Sequence, residues 1–131
     1  MKITRIPFHR VPQLSKIDAA YAGRDEALKP FYAYGVSLES FRGLIEDKKR
    51  DNTDRQALAA ALRHQYRDLE RIPEVDTQIE RLGAPNTFSV TTAHQPCLFT
   101  GPLYYVYKIF SAINLADQLN KASPGYHFVP V

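Results

Sequence analysis

A single cysteine, Cys97, among 131 residues excludes an intrachain disulfide and any zinc site built from several thiolates. Such scarcity fits a reducing compartment. Long apolar runs are lacking as well. Nowhere do the roughly 18 consecutive apolar residues of a membrane span occur. The opening Met1-Lys2-Ile3-Thr4-Arg5-Ile6-Pro7 has no sustained apolar stretch like that of a secretory signal. A soluble cytoplasmic protein is expected, with no membrane partner. Charge of one sign is not concentrated anywhere: the formal charge is +3, and acids and bases alternate in Glu46-Asp47-Lys48-Lys49-Arg50-Asp51. A nucleic-acid surface would show a one-signed stripe with interleaved aromatics, so nucleic acid is not expected as a partner. His9, His64 and His127 are scattered without metal-ligand spacing, and no metal site is expected.

What is present is a globular composition, 44% hydrophobic and 24% charged, with no repeat or low-complexity run. The length suffices for one domain with a hydrophobic core. Lys2–Pro7 is a weak strand candidate. Residues 15–82 read as helical hairpins. Ser15 can cap a helix carrying Ile17, Ala20 and Tyr21 that ends at Gly23, and a short turn Asp25–Lys29 is expected to stop at Pro30. Ser37 is expected to cap Leu38–Lys49, with Leu38, Phe41, Leu44 and Ile45 on one face. Thr53-Asp54-Arg55-Gln56 reads as a capping box of Thr53 with Gln56, opening a helix to about Leu69. Pro73 starts a helix that Gly83 ends in a left-handed conformation.

After Gly83 the hydrophobic period changes. Thr87–Thr92 reads as a strand, Pro102–Lys121 as a helix and His127–Val131 as a second strand, which makes a βαβ unit with a parallel pair. The expected fold class is α/β. A helical N-terminal region (residues 1–85) leads into the first βαβ unit (residues 86–131) of a Rossmann-like parallel sheet, incomplete at its C-terminus. Natural domains seldom stop within an apolar strand, so the sequence is expected to be a piece of a longer protein. An edge strand at a true terminus is the alternative.

The turn Thr91–Pro102 is where chemistry is expected, because ligands of open α/β sheets bind outside the strand ends. Helix starts attract anions there. His94 can contact phosphate or give a proton near neutral pH, or be a loop histidine bonded to backbone. Gln95 offers a neutral amide. Thr100 or Gly101 would cap the helix with Pro102 at its first position, and Gly101 would let a ligand approach the backbone. The lysine-serine or lysine-threonine ending of a P-loop is absent. Leu103, Val106, Ile109, Phe110, Ile113 and Ala116 form the helix's apolar face, with Tyr104, Lys108, Ser111 and Gln118 on the other strip. Lys108 can reach back to an anion at the helix start, or lie solvated. Tyr104, Tyr105 and Tyr107 read as packing residues. Cys97 reads as a small apolar side chain, since nothing supplies an orienting group or oxyanion site for a nucleophile.

As an ordered string these residues say more than they do singly. Thr91-Thr92-Ala93-His94-Gln95-Pro96, then Leu98-Phe99-Thr100-Gly101-Pro102-Leu103-Tyr104, then Tyr107-Lys108-Ile109 closely resembles the bacillithiol biosynthesis cysteine-adding enzymes, a cysteine ligase family. Leu28-Lys29-Pro30-Phe31-Tyr32 and Phe128-Val129-Pro130-Val131 fit the same family, so the resemblance spans nearly the whole chain. It implies a Rossmann-type core related to nucleotide-dependent ligases, whose turn resembles the histidine signature of class I aminoacyl-tRNA synthetases. It implies a nucleotide, ATP or ADP, and the small-molecule substrates cysteine and glucosaminyl malate. By the same resemblance His94 is catalytic at the phosphates or reacting carboxylate. Thr92, Gln95, Thr100, Gly101 and Lys108 bind nucleotide or substrate. A homodimer is possible for the full-length protein. Two positions depart from the family's pattern: Ala93 replaces a usual glycine, and Cys97 stands at an often small or polar position. If positive φ were required at Ala93, alanine would be strained there.

Family members are several times longer, so the resemblance implies an N-terminal fragment of the ligase, inactive alone. Two other readings remain open. One is a non-catalytic interaction or regulatory module using the helices of residues 15–82. The other is a cysteine hydrolase built on Cys97 and His94.

Overall fold

The computed structural model describes residues 2–131, apart from the side chain of Thr100. The chain divides into two compact units, Met1–Leu44 and Ile45–Val131.

In the first unit Lys2–Pro7 forms no strand; a single 3-10 turn follows at Phe8–Arg10. The segment alternates too weakly to hold an extended conformation without a partner strand. Helix α1, Lys16–Ala22, begins with a capping box. Ser15 Oγ accepts from the Asp18 amide at 3.1 Å, and Asp18 returns a carboxylate to the Ser15 amide at 3.1 Å. The next turn runs over Glu26–Phe31 with Pro30 inside it, where a stop was expected. A 3-10 turn tolerates the proline because Leu28 N–H to Asp25 O and Tyr32 N–H to Lys29 O carry it from either side.

Helix α2 spans Ser40–Lys48, two residues later than Ser37 as N-cap predicts. Ser37 still receives the Ser40 amide at 3.3 Å, across a turn at residues 38 and 39. Helix α3, Arg55–Tyr66, is capped by Asp54, whose carboxylate accepts from the Ala57 amide at 2.9 Å. This replaces the expected Thr53–Gln56 box: the ionised acceptor one residue on is an equally favoured cap, and it shifts the register. Helix α4, Pro73–Leu82, starts at proline as expected. Gly83 ends it at φ −69°, not in the left-handed region, because its amide bonds back to Glu80 O and tightens the last turn.

The second unit is organised by strands β1, Thr87–Val90, and β2, His127–Pro130, joined through helix α5, Leu103–Ala122. The strands pair in parallel, with Thr87 opposite His127 and Val90 opposite Pro130. Backbone bonds extend the pairing to Thr92 N–H and Val131 O, 2.9 Å apart. This is the expected βαβ unit with strands one or two residues shorter. Phe128 and Val129 are both buried, so both faces of β2 are covered, since neighbouring side chains point to opposite faces. Helices α4 and α5 both contact both strands. Arg55 donates to Thr87 O at 2.8 Å, tying α3 to the start of β1.

The face that α5 buries shares only Ala116 with the expected one. Ala112, Ala116 and Leu119 are buried, whereas Leu103, Val106, Ile109, Phe110 and Ile113 are exposed. Small residues allow the helix to lie close against the strands, and shape decides the docking face over hydrophobicity. At the outer edge of β2, Asn120 uses its whole amide: Nδ2 donates to Phe128 O at 3.0 Å and Oδ1 accepts from Phe128 N–H at 2.8 Å.

Candidate functional site

The segment between β1 and α5 leaves the sheet at its carboxyl edge and turns twice. Residues 93–97 are irregular, Leu98–Thr100 form a 3-10 turn, and Phe99 and Gly101 both adopt positive φ, at 51° and 67°. Pro102 is the N-cap of α5 in an extended conformation, and Leu103 is the first helical residue. The expected cap at Thr100 or Gly101 with Pro102 inside the helix is therefore moved by one to two residues. The positive φ of Gly101 does not fit a helix cap, and its amide is used within the turn, donating to Leu98 O at 3.1 Å. Ala93 does not have positive φ, so the alanine causes no strain of that kind.

His94 is half-buried and held at both ring nitrogens. Nδ1 lies 2.8 Å from Gln95 O, and Nε2 lies 2.5 Å from Tyr104 Oη. Its ring meets Tyr104 at 5.2 Å between centroids and Tyr105 edge-on at 5.4 Å. Lys108, one turn further along α5, donates through Nζ to Ala93 O. The helix therefore grips the turn twice, through Tyr104 on the His94 ring and through Lys108 on the backbone just before it. An i, i+4 spacing puts those two side chains on one helix face.

A pocket of about 460 Å³ opens here, lined by Thr92, Ala93, His94, Tyr105, Lys108 and Ile109, with Ala112, Ile113, Pro130 and Val131 beyond. Its volume lies within the range of small-molecule sites, about 300–1,000 Å³. Its lining combines a histidine, a threonine and a lysine with apolar side chains of α5 and the end of β2. Lysine has three N–H donors, and only one goes to Ala93 O, so Lys108 keeps capacity for an anionic or carbonyl oxygen.

Of the residues singled out in the sequence, the fold brings Thr92, His94 and Lys108 together around this space. Gln95 is exposed, and its carbonyl is the working group: it accepts from His94 Nδ1 and, at 3.3 Å, from the Cys97 thiol. Gly101 lies against Cys97 and is not among the residues lining the pocket. The side chain of Thr100 lies outside the described residues.

Cys97 Sγ is 3.5 Å from His94 Nδ1, but that nitrogen carries the hydrogen given to Gln95 O and so cannot accept from the neutral thiol. This contact is not a nucleophile–base pair. Among the described residues no three His, Cys, Asp or Glu side chains gather closely enough to hold a metal ion. Among the described residues no helix is long and apolar enough to cross a membrane.

Tyr104 and Tyr105 were legible only as packing residues. Their signal was position: a tyrosine pair in the first turn of a helix can fold back on a histidine that precedes that helix by a short turn.

Comparison with known proteins adds a family to this geometry. Over residues 1–131 the chain matches the family described as "Bacillithiol biosynthesis BshC, N-terminal Rossmann-like domain". A protein of Flavobacterium johnsoniae named "Putative cysteine ligase BshC" is 42% identical over 119 residues, 89% of this chain and 22% of its own length. Its namesake in Flavobacterium psychrophilum is 39% identical over 129 residues, 96% of this chain and 24% of its own. That of Bacillus licheniformis is 37% identical over 98 residues, 75% of this chain and 18% of its own. The chain thus spans less than a quarter of the length of these relatives.

Proposed function

The chain belongs to the bacillithiol biosynthesis BshC family, as its N-terminal Rossmann-like domain, and from that premise we propose that it carries one wall of a cysteine ligase's active site. The reaction we assign to the whole enzyme is carbon–nitrogen bond formation between cysteine and glucosaminyl malate. The observation that carries this reading is the meeting of His94, Thr92 and Lys108 in one pocket where β1 and β2 end.

Each residue has a stated task. Lys108, already oriented by Ala93 O, holds a phosphate or carboxylate oxygen with its remaining N–H groups. Thr92, at the last backbone bond of the sheet, adds a hydroxyl, while His94 handles a proton at the reacting group. Gln95, Thr100 and Gly101 shape the turn that presents them. Donors held in place before a negative charge develops stabilise it without reorganisation.

A nucleotide, ATP or ADP, would supply the phosphate that makes a carboxylate reactive. The polar lining residues suit its phosphate end and the apolar ones a flat ring, although one lysine alone is a sparse charge for a triphosphate. Further ligands therefore belong to the rest of the enzyme, and the 131-residue chain is inactive by itself. Action in the cytoplasm and a homodimer of the full-length enzyme complete the proposal.

Calorimetric titration of ADP and ATP into the longer protein, wild type against His94→Ala, tests it together with cysteine-dependent product formation. A loss of at least about 10²-fold in turnover is expected for a general acid or base. Unchanged affinity and unchanged turnover would remove His94 from its role.

A second reading rests on the first unit. Ile17, Tyr21 and Phe31 are exposed and line a groove of about 590 Å³ with Leu28 and Tyr32. Such a groove suits an interaction module, and a concentration-dependent shift in size-exclusion that Phe31→Ser abolishes would support it.

A further inference from the structure

We infer that Tyr104 is a positioning residue that fixes the tautomer of His94, so that the neutral ring meets a ligand as an acceptor at Nε2. The argument starts at the opposite nitrogen. Gln95 O has only lone pairs, so the 2.8 Å contact requires the hydrogen to sit on Nδ1. A neutral imidazole carries one N–H, which leaves Nε2 with a lone pair. Tyr104 Oη, 2.5 Å away, is therefore the donor in that bond.

The two partners cooperate. The carbonyl selects Nδ1–H, the phenol rewards a bare Nε2, and Tyr105 meets the ring edge-on to limit its rotation. Lys108 on Ala93 O keeps the preceding backbone in place, so the ring cannot answer a lost bond by moving away with its segment. Tyr104 itself is more than half exposed, and His94, its partner in this bond, lines the pocket.

The chemical consequence depends on the reading of His94 as the reactive group of the ligase site. While neutral, His94 is engaged by a ligand group that donates a hydrogen, such as an amine or hydroxyl, taking the place of Tyr104. An ionised phosphate or carboxylate is met by the ring only after it has gained a proton. Tyr104 thus sets which ligand atoms the histidine can serve.

Long-range proton–nitrogen spectra of the chain labelled with ¹⁵N-histidine read the tautomer directly, without substrate. The expected wild-type pattern for His94 is a protonated Nδ1 and a bare Nε2. In Tyr104→Phe the Nε2–H form gains population at the expense of Nδ1–H, whereas Tyr105→Phe keeps the wild-type pattern. His127, held by residues of α4, is the internal check that each variant is folded. A wild-type His94 protonated at Nε2 would overturn the inference, and so would a folded Tyr104→Phe with an unchanged pattern. In the longer enzyme Tyr104→Phe is expected to lower kcat more than it raises KM and to move the pH profile. If the tautomer result holds while His94→Ala leaves product formation untouched, the positioning stands and the ligase role of His94 falls.

Discussion

A Cβ placed on Gly101 would stand 2.6 Å from Cys97 Cβ and 2.9 Å from Cys97 Sγ. The turn carrying the candidate site is closed by a side chain on one limb and the lack of one on the other. Gly101 also holds φ 67° with ψ −166°, a region essentially restricted to glycine. Gly101→Ala is therefore expected to destabilise the chain by about 1–3 kcal/mol, read as a lower urea midpoint. Gly83→Ala is the comparison: φ is an ordinary −69°, and a change below about 1 kcal/mol is expected there. Equal losses at both glycines would refute the part assigned to the Cys97 contact and the backbone conformation.

Asn120 stands in for a neighbouring strand at Phe128, using one donor and one acceptor. Asn120→Ala leaves both backbone groups of a buried residue without that partner, at an expected cost of about 1–3 kcal/mol. Hydrogen exchange at the Phe128 amide should accelerate. Asn120→Asp keeps the acceptor and should keep that amide protected while still losing stability through the carbonyl.

The two faces of α5 separate packing from hydrophobicity. Leu119 is fully buried and Phe110 is 58% exposed. Leu119→Ala is expected to cost about 2–5 kcal/mol. Phe110→Ala in the same 131-residue chain should stay within about 0.5 kcal/mol of wild type. Denaturant melts of the pair decide it: a large loss at Phe110 would mean that the outer face is covered after all.

His127 gives a pH dependence with a definite sign. Burial, and then the Arg81 guanidinium 3.0 Å from its Nε2, hold its imidazole below the ordinary value. The unfolded chain therefore binds the proton more readily, and stability rises with pH in that interval. The contribution is complete above the usual histidine value of about 6.5 and is lost as pH falls through the lowered folded value. Urea unfolding from neutral to mildly acid pH should show this slope, and His127→Gln should flatten it. A slope unchanged by the substitution would place the effect elsewhere.

The starts of α1 and α4 and the βαβ order were legible because they rest on local chemistry. Ser15 with Asp18 and Pro73 at a first helical position act within one turn of chain. Where two residues of like ability stood side by side, as Thr53 and Asp54 do, local chemistry could not choose between them. Three of the residues that line the pocket, Thr92, His94 and Lys108, were legible as members of a string. The partners of His94 were not, because Gln95 contributes a carbonyl that every residue has, and Tyr104 is ten positions away.

Sequence alone determined the class of this protein: a strand, a glycine-bearing turn, a long helix and a second strand, the order and lengths of a βαβ unit. It also determined the family, since an ordered run of small, polar and aromatic residues around a histidine is far more specific than any member of it. Only the tertiary structure decided which side of α5 faces the strands, because close approach depends on the shapes of Ala112, Ala116 and Leu119 in three dimensions. It also decided the hydrogen-bonded state of His94. That state depends on where a carbonyl and a phenol come to rest, and no spacing along the chain records the closing of the turn that brings them there.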